Sequence, residues 1–134
     1  MSEELEQLSR RLVGCKGWRW LPGMRASLIG MNTGWRILSH SDFWYEGEGI
    51  RDSLPGGPTN LPDLTDPATL GCLLYLVREA WGDPGFYTAQ SSTKIKGADI
   101  FGWDTFGYLH GRSCKGMLYR SEAEALVSAL ESAS

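Results

Sequence analysis

The stretch from Asp66 to Pro84 constrains the fold more than any other part of the chain. Asp66 has the short acceptor side chain that caps a helix start, and Pro67 follows at the first helical position, where no amide donor is needed. Leu70, Leu73, Leu74, Val77 and Trp81 then recur at three- and four-residue intervals, and Cys72, Leu76 and Ala80 widen that stripe. Gly82 ends the run as a C′ residue, with Pro84 just beyond. So little of this helix is polar that a sheet is expected to wrap around it.

Two further helices are predicted at the ends. The first covers Glu3–Val13, with Ser2 as N-cap, Gly14 as stop, and Leu5, Leu8 and Leu12 as its apolar stripe. Its early acids and its late Arg10 and Arg11 both suit the helix dipole. The last opens on a capping box, Ser121 with Glu124, and carries Ala123, Leu126, Val127 and Leu130.

Between the helices the period changes. Trp18 and Trp20 alternate with Arg19, Pro22-Gly23 makes a turn, and residues 24–29 read as a strand. A hairpin connection at 32–34 leads into residues 35–39 and then 43–46, a three-stranded meander. Residues 47–63 are so dense in Gly and Pro that they read as a loop. From Phe86 to Leu118 the chain returns to strands and turns, with Gly97, Gly102 and Gly107 five residues apart in GADIF-GWDTF-GYLHG. An odd spacing puts Phe101 and Phe106 on opposite faces of a straight strand, so a turn or bulge is expected at Gly102 or Asp104-Thr105. The predicted fold is α+β: one domain over residues 1–134, with an antiparallel sheet of about five strands packed on the central helix and helices at the N- and C-termini.

At 134 residues the chain is long enough to bury a core without metal or disulfide staples. Its 42% hydrophobic and 22% charged residues are those of a globular protein. No apolar run approaches membrane-spanning length, and the N-terminus MSEELEQ is acidic, so no membrane contact and a cytoplasmic location are expected. Three cysteines, Cys15, Cys72 and Cys114, form no CxxC pair, as suits reduced thiols, and Cys72 is expected in the core. The net charge of −3 hides a division: residues 8–120 hold all thirteen bases against ten acids, a net of +3. That is too weak for generic duplex DNA binding but compatible with a small anion, a short single strand or a protein partner.

The functional lean comes from residues 7–41, which contain no acid. There Arg19, Arg25 and Arg36 are interleaved with Trp18, Trp20 and Trp35. Guanidinium forks hold anions, and indole faces stack rings. A second acid-free stretch, 105–121, adds Tyr108, His110 and Arg112. Two readings stay open: the tryptophans are core and Arg19 is solvated, or these nine residues contribute to a ligand pocket. In the second case, charge-assisted contacts of about 1.5–3 kcal/mol each and a stacked base of about 1–3 kcal/mol would give micromolar affinity or better.

Other chemistries are poorly provided for. The segment from Gly111 to Gly116 lacks the Lys-Ser/Thr pair of a nucleotide-triphosphate loop. His110 and Cys114 are four apart in a turn, with no second pair at a metal-binding interval. No G-x-S-x-G elbow is present, His40-Ser41-Asp42 cannot form a triad as sequence neighbours, and Asp99 and Asp104 beside glycines suit turn duty. No catalysis, metal or cofactor is therefore expected. The six carboxylates of the terminal helices are too thin a field to mimic nucleic acid and read as solvated faces.

Three blocks, CKGWRWLPGM (residues 15–24), LPDLTDPATLGCLLYLVREAWGDP (61–84) and SEAEALVSALESA (121–133), resemble a group of small hypothetical proteins encoded by tailed phages and prophages. The resemblance implies a setting, an accessory phage gene product in the cytoplasm of a bacterial host, and no chemistry. Combined with the Trp/Arg pattern, it leads to the expectation of a non-catalytic anti-defence protein. Such a protein would bind a small phosphorylated, nucleotide-like ligand and sequester a host immune signal, as a monomer or a homodimer. A protein–protein inhibitor of a host or defence enzyme is the alternative, and a single-stranded nucleic-acid binder a further one.

Overall fold

Each helix begins where its capping side chain dictates. In the computed structural model, which describes residues 2–28, 34–39, 41–46, 48–51, 60–107, 111–112 and 118–133, Ser2 Oγ accepts from Leu5 N at the start of α1 (Glu3–Val13). Asp66 accepts from Thr69 N at the start of α2 (Pro67–Trp81), and Ser121 accepts from Glu124 N at the start of α3 (Glu122–Ser132). Gly82 closes α2 at φ +63°, and Asp83 N donates back to Arg78 O, the wrap that a left-handed cap allows.

The strands are β1 (Arg25–Leu28), β2 (Gly34–Ile37), β3 (Phe43–Tyr45), β4 (Gly49–Arg51), β5 (Asn60–Pro62), β6 (Tyr87–Ile95), β7 (Ala98–Gly107) and β8 (Gly111–Arg112). They make a five-stranded antiparallel sheet ordered β4-β3-β2-β1-β5 and a second sheet ordered β6-β7-β8. The class is α+β, as expected. The chain divides into two compact units, residues Met1–Gly14 with Trp18–Cys72, and Cys15–Gly17 with Leu73–Ser134, the boundary falling within α2 between Cys72 and Leu73. Among the described residues no helix is long and apolar enough to cross a membrane.

In the first unit, Ala26, Trp35, Ile37 and Phe43 alternate onto one buried face of the sheet, while Leu8 and Leu12 of α1 are buried with them. The meander β1-β2-β3 matches expectation, and the predicted turn at 32–34 falls partly on residues 29–33, outside the described set. Residues 47–63 do not form one uninterrupted loop. They contain β4 and β5, the two edges of the sheet. Three-residue edge strands carry no periodic signal of their own. Asp63 N donates to Arg25 O, so by alternation the backbone of Pro62 points away from β1, and its missing N–H costs no ladder bond. Its carbonyl instead accepts from the buried Ser9 Oγ of α1 at 3.0 Å.

In the second unit, Leu73, Leu76 and Val77 of α2 and Ala123, Leu126, Val127 and Leu130 of α3 are buried with Phe86. Trp81 stacks on Phe86 and donates Nε1–H to Ala129 O at 2.9 Å. Cys72 is only half-buried, its thiol against Pro22 O at 3.5 Å, so the expected core position is corrected. β6 and β7 form one unbroken ladder of nine pairs, from Tyr87↔Phe106 to Ile95↔Ala98. The expected turn or bulge near Gly102 is therefore absent, and Phe101 and Phe106 do lie on opposite faces. The chain reverses at Lys96 (φ 52°) and Gly97 (φ 81°), a two-residue turn whose doubly positive φ matches the twist of the strands.

Candidate functional site

Two arginines of the sequence-predicted pocket, Arg25 and Arg36, are used internally. Arg25 and Arg36 are cross-strand partners on β1 and β2, where two like charges repel. Three carboxylates resolve that conflict. Arg25 forks onto Glu46, Nε to Oε1 at 2.6 Å and Nη2 to Oε2 at 3.0 Å, and reaches Asp63 Oδ2 at 2.6 Å and Ser27 Oγ at 3.1 Å. Arg36 clamps Asp66 through two 3.0 Å bonds and also donates to Gly23 O. These hydrogen bonds raise both guanidinium pKa values above an already high norm, that of Arg25 through Glu46 and that of Arg36 through Asp66. They hold the Glu46 and Asp66 carboxyls below the usual range, through Arg25 and Arg36 respectively. Two positive charges among three negative ones give no net attraction for an anion. Arg25 and Arg36 thus brace the sheet to the residues after β3 and β5 and to the start of α2.

Trp35 is fully buried and stacked on Tyr45 with ring centroids 5.6 Å apart, so its face is spent on the core. Trp18 and Trp20 lie in irregular chain rather than on a strand, half-buried and edge-to-face at 5.1 Å, with Arg19 exposed between them. Tyr108 and His110 lie outside the described residues. Arg112 is placed by its backbone alone, opposite Phe106 in β8. Among the described members of the predicted set, Arg25, Arg36 and Trp35 are thus engaged within the first unit, while Arg19 is exposed.

A ring-and-arginine site occurs instead on the second unit. An open cleft of about 500 Å³ is lined by Gln90, Ser91 and Ser92 of β6, Phe101, Gly102 and Trp103 of β7, and Arg120. Alternation puts Thr88, Gln90 and Ser92 on the same face as Phe101, Trp103 and Thr105. Thr88 Oγ1 donates to Glu122 Oε1 of α3 at one end of that face. Toward the other end Phe101 is 77% exposed, an unusual position for so large an apolar ring. Arg120 enters because Tyr119 bridges Trp103, with N–H to O bonds of 2.7 and 2.9 Å in the two directions. Gly102 permits this approach: a Cβ there would stand 2.8 Å from both Tyr119 O and Leu118 Cβ.

On the face of Phe101 and Trp103 the lining offers two aromatic rings, the Gln90 amide and the Ser92 hydroxyl, and Arg120 adds a guanidinium to the cleft. Among the described residues that line it there is no carboxylate, imidazole or thiol. Such a surface can stack a planar group and neutralise a negative charge beside it. Sequence reasoning missed it because Trp103 and Arg120 are brought together by a bridge across 16 residues. The glycine spacing did draw attention to Phe101 and Gly102, but as a turn. No protein-family model, curated protein or solved structure matches this chain.

Proposed function

We propose that this is a non-catalytic accessory protein of phage origin that binds a small anionic, nucleotide-like ligand in the β6–β7 cleft. The base would stack on Phe101 or Trp103, and the phosphate would face Arg120. The observation that carries this reading is the exposed Phe101 ring beside Trp103 and a guanidinium in one water-accessible cleft. The phage setting rests on the three sequence blocks alone. Within it, holding a host signalling nucleotide in the bacterial cytoplasm is the role that such a site serves.

A panel of nucleotides tested by thermal shift decides the matter. A ligand at about 100 times its Kd adds about 2.7 kcal/mol to stability, enough to move the midpoint visibly. Phe101→Ala should weaken binding by about tenfold or more, as loss of a stacked base does. A panel with no shift rejects the proposal.

A second reading, a protein–protein inhibitor, draws support from the first unit. There Trp44 and Ile50, cross-strand partners on β3 and β4, are both exposed. Apolar rings and branched chains at a sheet edge suit a partner protein. Capture of a host enzyme that Trp44→Ser abolishes, with no nucleotide shift, would favour it.

A further inference from the structure

The free edge of β6 has a built-in complement. β6 is the outer strand of its sheet, and at nine residues it is long for an edge. Trp103 spends both backbone groups on Tyr119, on the side away from β6. The Gln90↔Trp103 pair is therefore the non-hydrogen-bonded kind, and by alternation Thr88, Gln90, Ser92 and Lys94 aim their N–H and C=O groups outward. Among the described residues no strand pairs with that side.

We infer that β6 pairs antiparallel with β6 of a second copy about a twofold axis at Ser91, giving one continuous sheet across the dimer. This register satisfies three conditions at once. Gln90 then faces Ser92 of the second copy and Thr88 faces Lys94, so all four outward-aimed residues meet outward-aimed residues in hydrogen-bonded pairs. Tyr87 and Ile95, exposed to 49% and 55% at the two ends of the strand, become cross-strand neighbours on one face. On the other face, Lys94 of each copy reaches the Thr88 position of its mate, where Thr88 Oγ1 already holds the Glu122 carboxylate. A positive charge thus meets a negative one twice across the seam. A shift by two residues breaks the apolar match and moves Lys94 away from Glu122, which favours a copy of this chain in this one alignment. Gln90 and Ser92 line the cleft, so the axis sets two clefts side by side. The pairing itself stands whether or not a nucleotide binds there.

Light scattering on the full chain over a dilution series tests this directly. The expected species has twice the 14.8 kDa chain mass and dissociates on dilution. Gln90→Pro removes an outward N–H and no β6–β7 bond, so a folded, monomeric variant is expected, with circular dichroism checking the fold. Lys94→Glu should also give monomer, by opposing two carboxylates at each end of the seam. Adding Glu122→Lys should restore the dimer, a rescue that Asp99, opposite Lys94 within its own hairpin, does not explain. A 14.8 kDa species at every concentration, or a dimer untouched by both Gln90→Pro and Lys94→Glu, overturns the inference.

Discussion

The five-stranded sheet and the β6–β7 hairpin draw on the same residue types and use them oppositely. In the sheet, Arg25 and Arg36 are saturated by Glu46, Asp63 and Asp66, and Trp35 is sealed in the core. In the hairpin, Phe101 stands in water, and Trp103 and Arg120 line an open cleft. Composition alone does not separate the two. What separates them, among the described residues, is whether carboxylates arrive: three reach the arginines of the sheet, and none lines the cleft. A guanidinium beside an indole is thus open to a ligand only where no acid of the same chain has claimed it.

Mutations can break this contrast, and the largest effect should come from Arg25→Ala. It leaves Glu46 and the mostly buried Asp63 without their counter-ion, at a cost of about 3 kcal/mol in urea-denaturation stability. Arg36→Ala should cost less, about 2 kcal/mol, because the Arg36 side chain is about one-third exposed and water screens the pair. Gly102→Ala should cost about 1–3 kcal/mol, since its Cβ meets backbone at 2.8 Å, and it should weaken ligand binding by displacing the Tyr119–Arg120 segment.

Acid titration of stability sharpens the comparison without a mutation. Glu46 and Asp66 titrate below their ordinary range when folded, so their contribution is complete above the unfolded carboxyl range, near about pH 4.5. It is lost as pH falls through the lower, folded values. Chemical denaturation between about pH 5 and 2 should therefore show falling stability, with a shallower slope in Arg25→Ala, where Glu46 has lost its partner. The smallest effect on stability belongs to Arg120→Ala, within about 0.5 kcal/mol of wild type as for an exposed side chain. The same variant should weaken nucleotide binding about tenfold by calorimetry.

Much of the fold is legible in the sequence because its signals are local. The caps at Ser2, Asp66-Pro67, Gly82 and Ser121 each act within one helical turn, so three helices emerge with their boundaries. β4 and β5 do not, because three residues adopt extended form only when a neighbouring strand supplies the ladder. The Trp/Arg cluster is equally visible, but its fate lies in Glu46, Asp66 and Asp63, which are 21 to 38 residues from the arginines they neutralise. A pattern confined to residues 7–41 holds no trace of them. The cleft is hidden for a similar reason, since Arg120 joins Trp103 only through the Tyr119 bridge.

The unbroken β6–β7 ladder has a kinetic consequence. Its nine pairs close on Lys96-Gly97, so every contact is short in sequence and the ribbon can zip on the microsecond scale. β5 must instead find β1 across some thirty intervening residues before its pairing is rewarded. The hairpin is therefore born early, with its flank bare in a crowded, half-made chain. The run Thr88-Ala-Gln-Ser-Ser-Thr-Lys94 is suited to that interval, being extended enough to zip and too hydrophilic to clump.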